Sequence, residues 1–308
     1  MNTLYSIVII TKNNELTIKH VLSSTLIIAE NYDVELIVVE GNSADNTFKV
    51  VGDFISKNKL RYVTSKVLRD SGFSSSFARH LGYKNSQGDI IIYLDGDTPL
   101  TTNFKYYLEE ELKNNDLISP LLECVRIDRA TSVFNQFMKT VSYMQNNIVI
   151  NSKIVDDPPV LPPARIFKRE VLERMKGYPV SSRFFGEDRI TTCLAIKLGF
   201  RYRFSPRLKM LKIDEPGYTA YWKKHFRYGL GINRDVTALG KRILRDYIIA
   251  RRLNHLNTIV PLLSMIYAQK CYELEKSFKI SVDVALMKYF IDLAMLLGDV
   301  NGYLKISR

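Results

Sequence analysis

Asp95 and Asp97 stand one residue apart at the end of the apolar run Ile90–Leu94. Two carboxylates so spaced at a strand end can ligate a hard divalent cation, Mg²⁺ or Mn²⁺, directly or through water, and such an ion is readily shared with a diphosphate. Two other apolar runs end in similar style. Thr11-Lys12-Asn13-Asn14-Glu15 follows the first, and the eight residues from Glu40 to Thr47 follow the second. Asn, Gly, Asp and Ser make turns on their own account, but three such ends on one predicted edge point to a binding site there. Glu187-Asp188 follows Gly186 where a helix-like stretch begins. Acids at that place serve as caps, and the helix dipole favours their charge. The stretch YWKKHFRYG, residues 221–229, holds the single Trp. Its Lys224, His225 and Arg227 either clamp a phosphate or face water beside a packed Trp222 and Phe226.

The elements that must position these residues follow from the hydrophobic pattern. Short apolar runs occur at Tyr5–Ile10, Val34–Val39, Leu60–Val63, Ile90–Leu94 and Leu117–Ser119, with amphipathic stretches such as Leu16–Ala29 and Phe48–Lys57 between them. Strands alternating with helices predict an α/β fold with a mostly parallel, Rossmann-like sheet flanked by helices. Continuous rather than alternating apolar strands fit a sheet covered on both faces. Ligands bind such sheets at the carboxyl ends of the strands. A helix is expected near Thr131–Asn147. The proline-rich loop Asp156–Pro163 comes next, then a strand at Arg165–Arg169 and a helix over Glu187–Leu198 ended by Gly199. From about Asp235 the pattern is helical, with breaks near Asn254–Asn257 and at Lys279–Ser281.

The segments SIVIITKNNE, IVVEGNSADNT, FARHLGYKNSQGDIIIYLDGDTPL and FFGEDRITTCLAIKLGF, in that order, resemble glycosyltransferase family 2, the inverting enzymes of GT-A fold. The resemblance covers about residues 4–230. It implies a metal-dependent transfer of sugar from a nucleoside-diphosphate sugar to an acceptor hydroxyl or lipid phosphate, with Mg²⁺ or Mn²⁺ as cofactor. It implies that Thr11 and Glu15 cradle the nucleotide. Glu40 takes the place of an aspartate that binds the base. Arg79, with Gly82, matches the family's Ala-Arg-Asn-x-Gly segment, His80 replacing Asn, and would contact the nucleotide. Asp95 and Asp97 match the metal motif, with Asp97 the direct ligand. Glu187-Asp188 match the acidic pair in which the aspartate is the catalytic base, although Arg189-Ile190 depart from the family's usual ending. The implied organisation is a catalytic domain over 1–235 and a helical C-terminal region over 236–308. The nucleotide-sugar half of the catalytic domain runs to about 120 and the acceptor half over about 121–235.

Bulk properties narrow the classes. The chain has 308 residues, 46% hydrophobic and 25% charged, which suits an ordinary folded protein. Its formal charge is +12, and between Arg201 and Arg252 there are 14 Lys/Arg against four acids. Such a block seeks phosphate, an anionic membrane surface or water. The apolar stretches Val260–Tyr267 and Val282–Leu297 are either paired helices burying a common face or a membrane-surface element. Neither they nor Leu253–Gln269 reach the roughly 18–20 apolar residues needed to span a bilayer. Three dispersed cysteines form no zinc pattern and predict reduced thiols. With an N-terminal stretch that reads as a strand rather than a leader, they predict a cytoplasmic protein, peripheral at the inner face of the membrane, meeting a glycan or lipid-linked acceptor. A sugar nucleotidyltransferase would share the fold type but wants a glycine-rich loop, and residues 11–15 contain no glycine. A basic nucleic-acid-binding protein would suit the charge, yet no binding module is recognisable, so nucleic acid is not expected as a partner.

Overall fold

The expected parallel sheet forms because its strands are apolar on both faces. The computed structural model of the chain describes residues 3–71, 74–126, 136–137, 140, 144, 163–180, 187–214, 222–223, 225–226 and 256–306. β1 (Leu4–Thr11), β2 (Asp33–Glu40), β3 (Thr64–Arg69) and β4 (Ile90–Asp95) are linked by helices α1 (Ile18–Ala29), α2 (Thr47–Asn58) and α3 (Ser75–Lys84). α4 (Phe104–Lys113), β5 (Leu117–Arg126), β6 (Ile166–Lys168), α5 (Arg169–Arg174), α6 (Glu187–Lys197) and β7 (Tyr202–Asp214) follow. The sheet order is β3-β2-β1-β4-β6-β5-β7. β1 pairs in parallel with β2 and β4, and β2 with β3, whereas β6 runs antiparallel to β4 and β5.

Side chains alternate between two cores. Ile7, Ile9, Leu36, Val38, Ile92 and Leu94 pack on one face with α1 and α4 residues such as Leu22 and Phe104. Val8, Ile37, Val39, Ile91 and Tyr93 pack on the other with Ala78, Phe167, Leu172 and Ala195. Gly82 lets α3 lie directly on the sheet, since a Cβ there would stand 2.2 Å from Val8 Cγ1.

One expected strand is displaced. Leu60 is 99% and Val63 65% exposed, and the strand begins only at Thr64. At the edge of the sheet β3 is half-buried from Thr64 to Leu68 and exposed at Arg69, so it carries no continuous apolar run, and of the apolar residues just before it only Tyr62 is buried.

The chain divides into two compact units. One comprises Met1–Glu123, Pro162–Ser182 and Glu187–Ile213; the other comprises Cys124–Leu161, Arg183–Gly186 and Asp214–Arg308. In the second, α7 (Leu262–Glu275) and α8 (Phe278–Ile306) share a core of Phe137, Cys271, Val284, Met287 and Ile291. The break between them falls at Lys276, whose φ is 53°, a little before the expected Lys279–Ser281. Lys288 and Asp292 form a buried i,i+4 ion pair, and Asn257 Nδ2 donates to Asp292 Oδ2 at 2.7 Å. Burial depresses the Lys288 pKa and raises that of Asp292. Cys193 and Cys271 are buried and form no disulfide. Among the described residues, no helix is long and apolar enough to cross a membrane. The expected helix near 131–147, the proline-rich loop and the boundary near 235 lie almost wholly outside the described residues.

Candidate active site

The carboxyl ends of β1, β2 and β4 are brought level by the strand register. Thr11 is paired with Glu40, and Ile10 with Asp95. The ladder continues one step into the loops, where Gly41 N donates to Thr11 O and Gly96 N to Ile10 O, both at 2.9 Å. The first and second loops are stitched together. Asn13 N donates to Ser43 Oγ (2.9 Å), Ala44 N to Asn13 Oδ1 (2.8 Å) and Asn14 N to Thr47 Oγ1 (2.8 Å). Asn13 and Asn42 hold φ of 54° and 56°, a left-handed conformation that asparagine tolerates better than most residues. Glu15 joins the stitching by accepting from Asn46 Nδ2 at 2.8 Å. Glu40 is buried and accepts from Ser43 N at 2.7 Å, so its carboxylate closes its own turn. Thr11 is buried, with its hydroxyl on Asn14 Oδ1 at 3.1 Å. The Asp95-Gly96-Asp97 turn presses against that loop: a Cβ on Gly96 would lie 2.4 Å from Thr11 Oγ1 and 2.6 Å from Asn14 Oδ1.

Beyond this edge the carboxylates are knitted by cations. Arg79 on α3 is buried and donates through one terminal nitrogen to Asp95 (2.7 Å) and through the other to Glu187 (2.6 Å). Arg165 meets Asp95 at 3.1 Å and Asp188 at 3.5 Å. Glu187 also accepts from Ser75 Oγ at 2.5 Å. Lys212 pairs with Oδ1 of Asp97, which Thr98 Oγ1 also approaches at 3.0 Å. Burial opposes the charge of Asp95, but the guanidinium groups of Arg165 and Arg79 outweigh it and hold its carboxyl far below the usual range.

Local structure explains the convergence. Glu187 and Asp188 occupy the first turn of α6, where acids complement the helix dipole. Thr191 and Thr192 on the next turn donate back to the carbonyls of Glu187 and Asp188, at 2.7 and 2.9 Å. Thr192 Oγ1 also accepts from Ala164 N at 2.8 Å, which ties the approach to β6 to this helix and sets Arg165 against Asp188. Tyr178 packs its ring 5.7 Å from the Arg79 guanidinium, and burial pushes its phenol above the ordinary value. β7 runs beside the segment after Asp97: Ile213 N donates to Asp97 O (2.8 Å) and Leu211 N to Pro99 O (2.9 Å).

Of the residues singled out from sequence, Arg79, Asp95, Glu187 and Asp188 thus meet in one ion-pair network, with Asp97 adjoining it. Thr11 and Glu40 flank it, and Glu15 lies in the stitched loops. Lys224 and Arg227 lie outside the described residues, and His225 belongs to the other unit. Sequence reasoning missed Arg165 and Lys212. Arg165 had only its place at the start of an expected strand to mark it, and Lys212 was one cation in a long basic block.

The profile of the family described as Glycosyl transferase family 2 matches residues 6–176, more than half of the chain. The chain belongs to glycosyltransferase family 2. The probable glycosyltransferase YdaM of Bacillus subtilis (strain 168) is 24% identical over 233 residues, covering 73% of this chain and 54% of the relative. A poly-beta-1,6-N-acetyl-D-glucosamine synthase of Staphylococcus epidermidis is 26% identical over 131 residues, covering 42% of this chain and 30% of its own. The chain therefore spans about half or less of these curated relatives. Among solved structures, the mannosyltransferase PcManGT from Pyrobaculum calidifontis, in complex with GDP-Man and Mn²⁺, superposes with a TM-score of 0.63 at 15% identity, over 99% of this chain and 88% of that one. TarS 1–349 of S. aureus, in complex with UDP-GlcNAc, gives 0.53 at 15% identity, over 98% and 91%. These likenesses establish the GT-A fold.

Proposed function

We propose that this chain transfers a sugar, with inversion, from a nucleoside-diphosphate sugar to an acceptor hydroxyl, with Asp188 as the general base. The observation that carries the reading is the joining of Asp95, at the end of β4, to Asp188, at the start of α6, through Arg165. The donor would lie across the Thr11, Glu40 and Asp95 edge, where Arg79 and Arg165 offer positive charge to its phosphates. Asp188 takes the proton from the acceptor hydroxyl as that oxygen attacks the anomeric carbon opposite the departing diphosphate.

The donor set fits a divalent cation in a limited sense. Among the described residues no three acids or histidines form a metal cluster. Mg²⁺ and Mn²⁺ sites of this kind need only one or two carboxylates and the substrate's phosphates. The hydrogen bonds and ion pair described for Asp97 all fall on Oδ1, leaving Oδ2 as the ligand atom. Asp95, already paired on both oxygens, would act through water. The ion would offset the charge that develops on the departing diphosphate.

An acceptor glycan or lipid-linked acceptor, met at the inner face of an anionic membrane, extends the proposal. The basic block from Arg201 to Arg252 supports it, as do the exposed Leu262, Met265, Phe278 and Phe290 of the C-terminal helices.

The test is Asp188→Asn, assayed for release of nucleoside diphosphate from uridine and guanosine sugar nucleotides with Mn²⁺ and candidate acceptors. Turnover should fall by about 10²–10⁴-fold, the usual worth of a general base, while nucleotide binding and melting temperature hold. Near-normal turnover would remove Asp188 from the mechanism.

A further inference from the structure

Among the described residues three cations serve the carboxylates of this site, and they are not equivalent. Arg79 and Arg165 have side chains only 4% and 9% exposed, and each bridges two carboxylates. Moving either would break two ion pairs and strand buried charge, so both are fixed. Lys212 is 22% exposed; its ion pair is with Asp97, and its charge also reaches Asp95 from a distance. Its backbone is anchored, because the flanking Leu211 and Ile213 donate to Pro99 O and Asp97 O, and Leu100 bridges Met210. Its ammonium rides on a flexible four-carbon stem. The pairing therefore keeps a mobile charge within reach of Asp97 without committing it there.

Among the described residues, the contacts of Asp97 all fall on Oδ1, which leaves Oδ2 for a divalent ion. An ammonium and a doubly charged cation held on one carboxylate repel each other strongly at such distances. Each must weaken the other's hold. A diphosphate beside Asp97 supplies the alternative partner, since phosphate oxygens accept charge-assisted bonds from lysine.

We propose that Lys212 is a diphosphate-binding residue that Asp97 holds in reserve: a divalent cation at Asp97 releases its ammonium, which then moves onto the phosphates of the donor. The inference rests on the donor-site reading above. It makes the two cations sequential occupants of Asp97, so that metal binding and the arrival of the lysine at the phosphates are coupled. It also gives Lys212 opposite effects on two ligands: it weakens the ion when the ion is alone, and strengthens the nucleotide when ion and nucleotide bind together.

The experiment measures Mn²⁺ binding by electron paramagnetic resonance, and UDP and GDP binding by calorimetry in saturating Mn²⁺. It uses the full chain as wild type, Lys212→Met, Lys212→Gln and Lys212→Arg, with melting curves to check folding. Both uncharged variants should bind Mn²⁺ alone about tenfold more tightly and the preferred nucleotide about tenfold more weakly, the scale of losing one partly buried charge. Lys212→Arg should restore nucleotide binding. Unchanged constants in folded uncharged variants, or constants that move in the same direction, overturn the proposal; joint weakening is what a purely structural lysine would give. Nucleotide binding with no Mn²⁺ binding in any of the proteins overturns it as well. A wild type that binds Mn²⁺ but neither nucleotide overturns the donor-site reading itself, and the lysine's role with it.

Discussion

Removing the Arg79 guanidinium should destabilise the unit that holds the sheet far more than it changes any single contact. Its two terminal nitrogens reach Asp95 at 2.7 Å and Glu187 at 2.6 Å from a side chain only 4% exposed. In Arg79→Ala both carboxylates lose that partner. Breaking one buried pair typically costs about 3–5 kcal/mol, because the remaining charge is left uncompensated. Here Arg165 still serves Asp95, and Ser75 still serves Glu187, so about 3 kcal/mol is the expected loss. For a unit of this size that lowers the melting temperature by about 6–12 °C.

The same loss must depend on pH. The Asp95 carboxyl sits far below its ordinary value, with burial opposing and the two arginines dominating. A depressed native pKa contributes stability that is complete above the unfolded value of about 3.9 and fades as pH falls toward the native one. Both proteins share the unfolded value, so the variant's deficit should be full at neutral pH and shrink only as pH falls through the variant's own, less depressed native value, below about 3.9. Urea unfolding followed by circular dichroism, at about pH 7, 5 and 3.5, measures it. A deficit under about 1 kcal/mol at neutral pH, or one that grows as the pH falls, would refute the view that Arg79 compensates buried charge.

Further outcomes follow from single positions. Gly82→Ala should cost about 1–3 kcal/mol in urea unfolding, since its Cβ would overlap Val8; the ordinary helix gain of alanine over glycine would appear instead if α3 could shift freely. Burial opposes the charge of Asp116, yet hydrogen bonds from Arg201 and Lys168 hold its carboxyl down at about 2. Its contribution is present above the unfolded value of about 3.9 and lost as pH falls through about 2. Asp116→Asn should therefore lower the urea midpoint at neutral pH and progressively less below about pH 4, and a pH-independent deficit would contradict this account.

The sequence by itself determined the sheet and its working edge. Runs such as Tyr5–Ile10, interrupted by Ser6, and Ile90–Leu94 are apolar on successive residues because both faces of the inner strands are buried. The polar residues that end them had to lie together once the strands ran parallel. Local signals failed where the environment is one-sided: β3 is an edge strand with half-buried residues, and the apolar Leu60 and Val63 beside it face water. Glu187-Asp188 read equally as helix caps, and only the arrival of Arg79 and Arg165 made them part of a site. Lys288 and Asp292 are spaced i,i+4 in an apolar-rich stretch, and only packing of the C-terminal helices decided that the pair is buried. Arg165 finds Asp95 across 70 residues of chain, and Lys212 finds Asp97 across 115. A lone charge carries no periodicity and does not mark its partner, so these pairings were decided by the order of the strands and the sealing of the sheet around them.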